Sequence, residues 1–128
     1  MRSIVIILIL LQVVFSYADD KVKVTGTYSS LFYHKEAGDL LGNEIRIVLG
    51  KKGYEGTFQT AQGEPDTLVF LKNISIKGNL IKFTISEGSL HAGEFSGEIT
   101  KTELKGVLTL QNGNKIPLVL KKGKSYWD

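Results

Sequence analysis

From Val22 onward the chain alternates apolar and polar residues in short runs divided by glycine, asparagine and proline breaks, with no window of helical period. Val22, Val24, Gly26 and Tyr28 share one parity against Lys21, Lys23, Thr25 and Thr27, which starts a first strand whose furthest extent is His34. After a polar break at residues 35–39, residues 43–49 set Ile45, Ile47 and Leu49 opposite Glu44 and Arg46, and a turn follows at residues 50–53. Residues 54–61 place Tyr54 and Phe58 on the apolar face and stop before Pro65, which suits a turn because it offers no ladder donor. Residues 67–77 make a long strand with Phe70, Ile74 and Ile76 inward. Val69 and Leu71 are apolar on its other face, the pattern of a bulge or a doubly covered stretch near Leu71. Gly78-Asn79 is the sharpest hairpin signal, and it leads into residues 80–86 with Ile81, Phe83 and Ile85 inward. Residues 94–100, 103–110 and 115–121 complete eight predicted strands.

No connection is long enough for a crossover helix, so each strand pairs antiparallel with the one before it. Left open, such a meander has two free edges and one uncovered apolar face; closure removes the edges and buries the face. The expected fold is all-β, a single-domain antiparallel up-and-down meander of about eight strands in a closed or nearly closed β-barrel. The alternative is a two-sheet β-sandwich.

The first 18 residues read differently. Arg2 precedes an unbroken apolar run from Ile4 to Leu11, and Ser16-Tyr17-Ala18 carries small residues at the two positions a signal peptidase reads. This predicts a cleaved signal peptide at residues 1–18, a barrel domain at residues 19–128, and a periplasmic or secreted protein. The apolar run is too short for a bilayer span, which takes about 20 residues, so no membrane span is expected after cleavage. The sequence has no cysteine, which excludes disulfides, thiolate metal sites and cysteine nucleophiles. Without Arg2 the charge balance is 15 basic against 13 acidic residues, scattered along the strands. Nucleic-acid binding, which needs a basic stripe interleaved with aromatics, is not expected.

The inward set is almost wholly aliphatic and aromatic, so it offers little chemistry. Two histidines are present, His34 and His91. His91 reads as a solvated loop residue. Tyr33, His34, Glu36 and Asp39 crowd a phenol, an imidazole and two carboxylates into the first hairpin, where a small polar ligand at a barrel rim has groups to meet. A hydrolase or metal-dependent site centred on His34, Glu36 and Asp39 lacks a complete constellation. The expectation is therefore a non-enzymatic protein with no metal and no cofactor. At the C-terminus, Tyr126-Trp127 follows the last strand; such a pair either folds back to cap an open end of the barrel or stands out as an interaction anchor.

Gly26-Thr27-Tyr28, the segment from Tyr33 to Asp39, Gly42-Asn43-Glu44 and the ending Lys122-Gly123-Lys124-Ser125-Tyr126-Trp127 together resemble a family of small, uncharacterised exported bacterial proteins. That resemblance brings no activity or catalytic residue with it. More distantly, strand count and length are similar to the lipocalin and avidin superfamily, whose G-x-W start has Tyr28 here in place of tryptophan. This likeness implies a small apolar or amphipathic ligand held in the barrel, with Tyr28, Tyr33, His34, Glu36, Asp39, Tyr126 and Trp127 as candidate contacts. The other expectation is a structural or protein-interaction module with a filled core.

Overall fold

The computed structural model describes residues 22–128, and every regular element within them is a strand. The expected signal peptide, its cleavage after Ala18 and the start of the mature chain lie outside the described residues. In chain order the strands are β1 (Gly26–Ser29), β2 (Phe32–His34), β3 (Asp39–Gly50), β4 (Gly53–Gly63), β5 (Val69–Lys77), β6 (Leu80–Ile85), β7 (Gly93–Ile99), β8 (Glu103–Leu110) and β9 (Lys115–Gly123). From β3 to β9 each strand pairs antiparallel with its neighbour in sequence, and β1 pairs with both β9 and β3. Eight strands thus close into a barrel, with β2 as an additional strand on β3.

The expected first strand is divided in two. Ser30 donates its N–H to the Asn43 carbonyl at 2.8 Å, while its hydroxyl accepts the Asn43 N–H at 3.0 Å. That side-chain bond kinks the chain between β1 and β2, and both pieces still pair with β3. Gly42, at φ 117°, admits the Ser30 carbonyl where a side chain would collide with it.

Alternation along the strands decides the interior. Tyr28 on β1, Ile45 and Ile47 on β3, Phe58 on β4, Val69 and Leu71 on β5, Ile81, Phe83 and Ile85 on β6, Phe95 and Ile99 on β7, Leu104 and Leu108 on β8, and Leu118 and Leu120 on β9 form one buried cluster. Phe83 and Phe95 stack with centroids 4.7 Å apart at 18°, each 1% exposed. A lumen wide enough for water would leave the inner surfaces of these side chains accessible. They are not, so the barrel is filled. Outward positions carry Lys72, Lys82, Glu94, Glu98, Lys105 and Lys121, all exposed. This arrangement, apolar inside and charged outside, is the reverse of the lipid-facing pattern of a membrane barrel.

Three positions expected inward are not. Phe70 is 74% exposed, and its neighbours Val69 and Leu71 point inward instead. The cause is a register shift between Lys72 and Ser75, where Asn73 takes a left-handed φ of 54°. The bulge reverses the parity, so Ile74 and Ile76 share a face with Leu71 and not with Phe70. Leu49 and Tyr54 lie at the end of the β3–β4 hairpin beyond the packed layers, and both are exposed.

Candidate functional site

The residues singled out in the sequence fall in three separate places. Tyr28 is wholly buried in the core; its hydroxyl donates to the Val24 carbonyl at 2.6 Å, and burial pushes its pKa up. Lys122 Nζ sits 5.5 Å from the centre of the Tyr28 ring and donates to the Lys23 carbonyl at 2.6 Å. Burial, with Lys23 nearby, lowers the Lys122 pKa. These contacts make Tyr28 part of the packed wall.

Tyr33, His34 and Glu36 are exposed at the end of the β2–β3 hairpin, and Asp39, half-buried, pairs with His34 at the base of its turn. The tip is closed by its own bonds: His34 Nδ1 accepts the Ala37 N–H at 3.2 Å, and the His34 carbonyl accepts the Gly38 N–H at 2.9 Å. Among the described residues no three His, Cys, Asp or Glu side chains converge as metal ligands.

Tyr126 and Trp127 do not cap an end of the barrel. Glu44, Arg46 and Gln59 point outward on β3 and β4, and the tail is tied to that outer face. The Glu44 carboxylate is buried beneath it and accepts from the Ser125 hydroxyl, the Tyr126 N–H at 2.9 Å and the Ser29 hydroxyl at 2.7 Å. Trp127 Nε1 donates to Gln59 Oε1 at 2.9 Å while the residue stays 53% exposed. A buried carboxylate needs such donors, and the tail supplies two of the three.

His91 is half-buried and bonded through both ring nitrogens, unlike the solvated loop residue the sequence suggests. The loop between β6 and β7 brings it onto β4, with Nδ1 3.2 Å from Thr60 Oγ1 and Nε2 2.7 Å from Gln62 Nε2. Thr60 directs its own proton to the Gly42 carbonyl, so we assign the Nδ1–H tautomer, with Nε2 accepting from the Gln62 amide. Burial lowers the His91 pKa, and Asp66 offsets part of the shift. Asp66 also accepts the Leu90 N–H at 2.8 Å, which helps hold the loop down.

The feature sequence reasoning missed is a gap in the wall. β4 and β5 are joined by two residue pairs, Thr57 with Phe70 and Phe58 with Val69. Beyond them the strands diverge around the Asn73 bulge, and residues 53–56 have no partner on the β5 side. A cleft of about 460 Å³ opens there, lined by Val48, Tyr54, Glu55, Gly56 and Thr57 on one side and by Phe70, Leu71, Asn73 and Ile74 on the other. Arg46 and Thr57 also line a second cleft of about 360 Å³ that runs to Leu68 and Trp127. Exposed Val48, Leu68, Phe70 and Trp127 therefore share the outer face along the two clefts, and Tyr54, of the opposite parity, stands at the hairpin end of the first. The signal available in the sequence was the unbroken apolar run Leu68-Val69-Phe70-Leu71, which fills both faces of β5. No family model, curated protein or solved structure matches this chain.

Proposed function

We propose that the protein is an exported, non-enzymatic binding module that works from the periplasm or outside the cell. It engages a partner protein through the open seam between β4 and β5 and not through its lumen. The observation that carries this reading is the seam itself: two strand edges left unpaired beside exposed Phe70, Val48 and Tyr54, on a barrel whose interior is filled. A contiguous apolar face of this kind on a charged surface marks a contact site.

A second reading has a small apolar or amphipathic molecule seated in the seam. The cleft volume, its mostly apolar walls and the few polar groups at Arg46, Thr57 and Asn73 favour it.

Native mass spectrometry of the protein recovered from its exported fraction, run for the wild type and for Phe70→Glu, tests both. The first reading expects a bound polypeptide that the variant loses and no stoichiometric small molecule. A small molecule lost from the variant moves the conclusion to the second reading. A bare chain in both samples overturns the seam as the functional site.

A further inference from the structure

The geometry points to an extended peptide segment as the occupant of the seam, taken up by strand addition to β4. This inference rests on the contact reading and names the chemistry of the partner. The two-residue turn Lys51-Lys52 makes the paired Gly50 and Gly53 the hydrogen-bonded flank of the hairpin. Counting along the antiparallel ladder from there, Tyr54 and Gly56 turn their N–H and C=O groups away from β3 and toward the seam. The same parity is seen further along β4, where the Thr60 carbonyl faces away from β3 and accepts the Asp66 N–H at 2.9 Å. Phe58 is met by Val69, whereas Tyr54 is exposed at the cleft and Gly56 lines its floor, buried with the Leu71 side chain against its inner face and no strand partner on the β5 side. The complement of a donor and an acceptor repeated every second residue along a strand is another main chain.

Side chains set the character of that main chain. A strand lying along β4 turns alternate residues inward against Leu71 and Ile74, which asks for aliphatic side chains, and outward beside Glu55 and Phe70. Lys72 leans the other way, toward Thr84 and Glu94. Arg46 already has a carboxylate near it, that of Asp128 at 3.9 Å. The anion on this stretch of β4 is therefore Glu55, whose carboxylate leans over Gly50 on the outer face, and the complement that reaches it from an added strand is a long cation, lysine or arginine. Glu55 also argues against a second copy of this chain. Two-fold pairing that bonds Tyr54 of one copy to Gly56 of the other sets Glu55 directly opposite Glu55, a like-charge pair.

The test titrates the full mature chain with a capped heptapeptide of alternating valine and threonine carrying lysine at its centre, followed by anisotropy and by amide exchange. Saturable one-to-one binding is expected, with the Tyr54 and Gly56 amides slowed at least tenfold. Methylating the backbone nitrogens of the two valines that flank the peptide lysine, the residues set opposite Tyr54 and Gly56, should weaken binding at least tenfold. Glu55→Lys should weaken it similarly and regain affinity for a peptide with glutamate at the centre. No saturation up to millimolar peptide overturns the inference, as does equal binding of the methylated peptide without amide protection. An apolar dye such as anilinonaphthalene sulfonate separates the two levels of the argument. Dye binding that Phe70→Glu abolishes, in a protein that ignores the peptide, sinks strand addition and leaves the seam as a contact site. Loss of both sinks the seam altogether.

Discussion

Gly97 on β7 and Gly106 on β8 face each other across the inner wall, and a Cβ on either would stand 2.7 Å from Cζ of Phe95. The aromatic ring lies against a patch of bare backbone, and this is how two stacked phenylalanines fit within so narrow a barrel. Gly106→Ala and Gly97→Ala should each cost about 1–3 kcal/mol by overpacking. Gly123→Ala, which meets nothing within 4 Å, should stay within about 0.5 kcal/mol of wild type. Urea denaturation midpoints check the contrast, and equal midpoints would mean a lumen with room to spare.

The reversed parity of β5 gives an opposed pair of expectations. Leu71→Ala should destabilise by about 2–5 kcal/mol as a core truncation. Phe70→Ala, on the outside, should fall within about 0.5 kcal/mol of wild type. The reverse order would restore the parity read from sequence and remove the bulge at Asn73.

That pair also shows where sequence reading reached and where it stopped. Strand spacing, the Gly78-Asn79 hairpin and the inward faces of β6 to β9 were legible, because each depends on residues close in sequence. Phe70 was misplaced although apolar residues on both faces of the strand already pointed to a bulge near Leu71, because the left-handed Asn73 that shifts the count decides which face turns inward. The seam was hidden for another reason. Separation of β4 from β5 is a property of two strands together, whereas alternation reports on one strand at a time. The hairpin tip around His34 was conspicuous in the sequence because polar groups crowd there; in space the His34 ring and carbonyl are taken up by backbone N–H groups of the turn, and the side chains do not converge on one another.

His91 links stability to pH. Burial holds its folded-state pKa below the ordinary value of about 6.5, so the unfolded chain takes up the proton first. The contribution of this residue is thus complete above about pH 6.5 and is lost as pH falls through the lowered folded-state value. Unfolding free energy in urea should decline from pH 7.5 to pH 5. His91→Gln should flatten that decline, and an unchanged slope would show that the imidazole is not the group responsible.

Removing the Glu44 carboxylate should free the C-terminal tail. In Glu44→Ala the Ser125 hydroxyl and the Tyr126 N–H lose their acceptor, at a cost of about 1–3 kcal/mol. Trp127 emission should shift to the red, and carboxypeptidase should trim residues 125–128 faster than in the wild type. Wild-type emission and trimming in the variant would mean that the Trp127–Gln59 bond and the Arg46–Asp128 pair hold the tail without Glu44.

The ladder that completes the barrel joins Thr27, Tyr28 and Ser29 to Gly123, Lys122 and Lys121, residues from opposite ends of the chain. Sequence separation this large delays closure, because loop entropy must be overcome before the contact forms. A ribosome still decoding β8 has produced a chain that cannot yet close, with its first strand waiting for its last. On the proposed export route that delay is an advantage: a polypeptide bound for a translocation channel stays threadable until its final strand has been made.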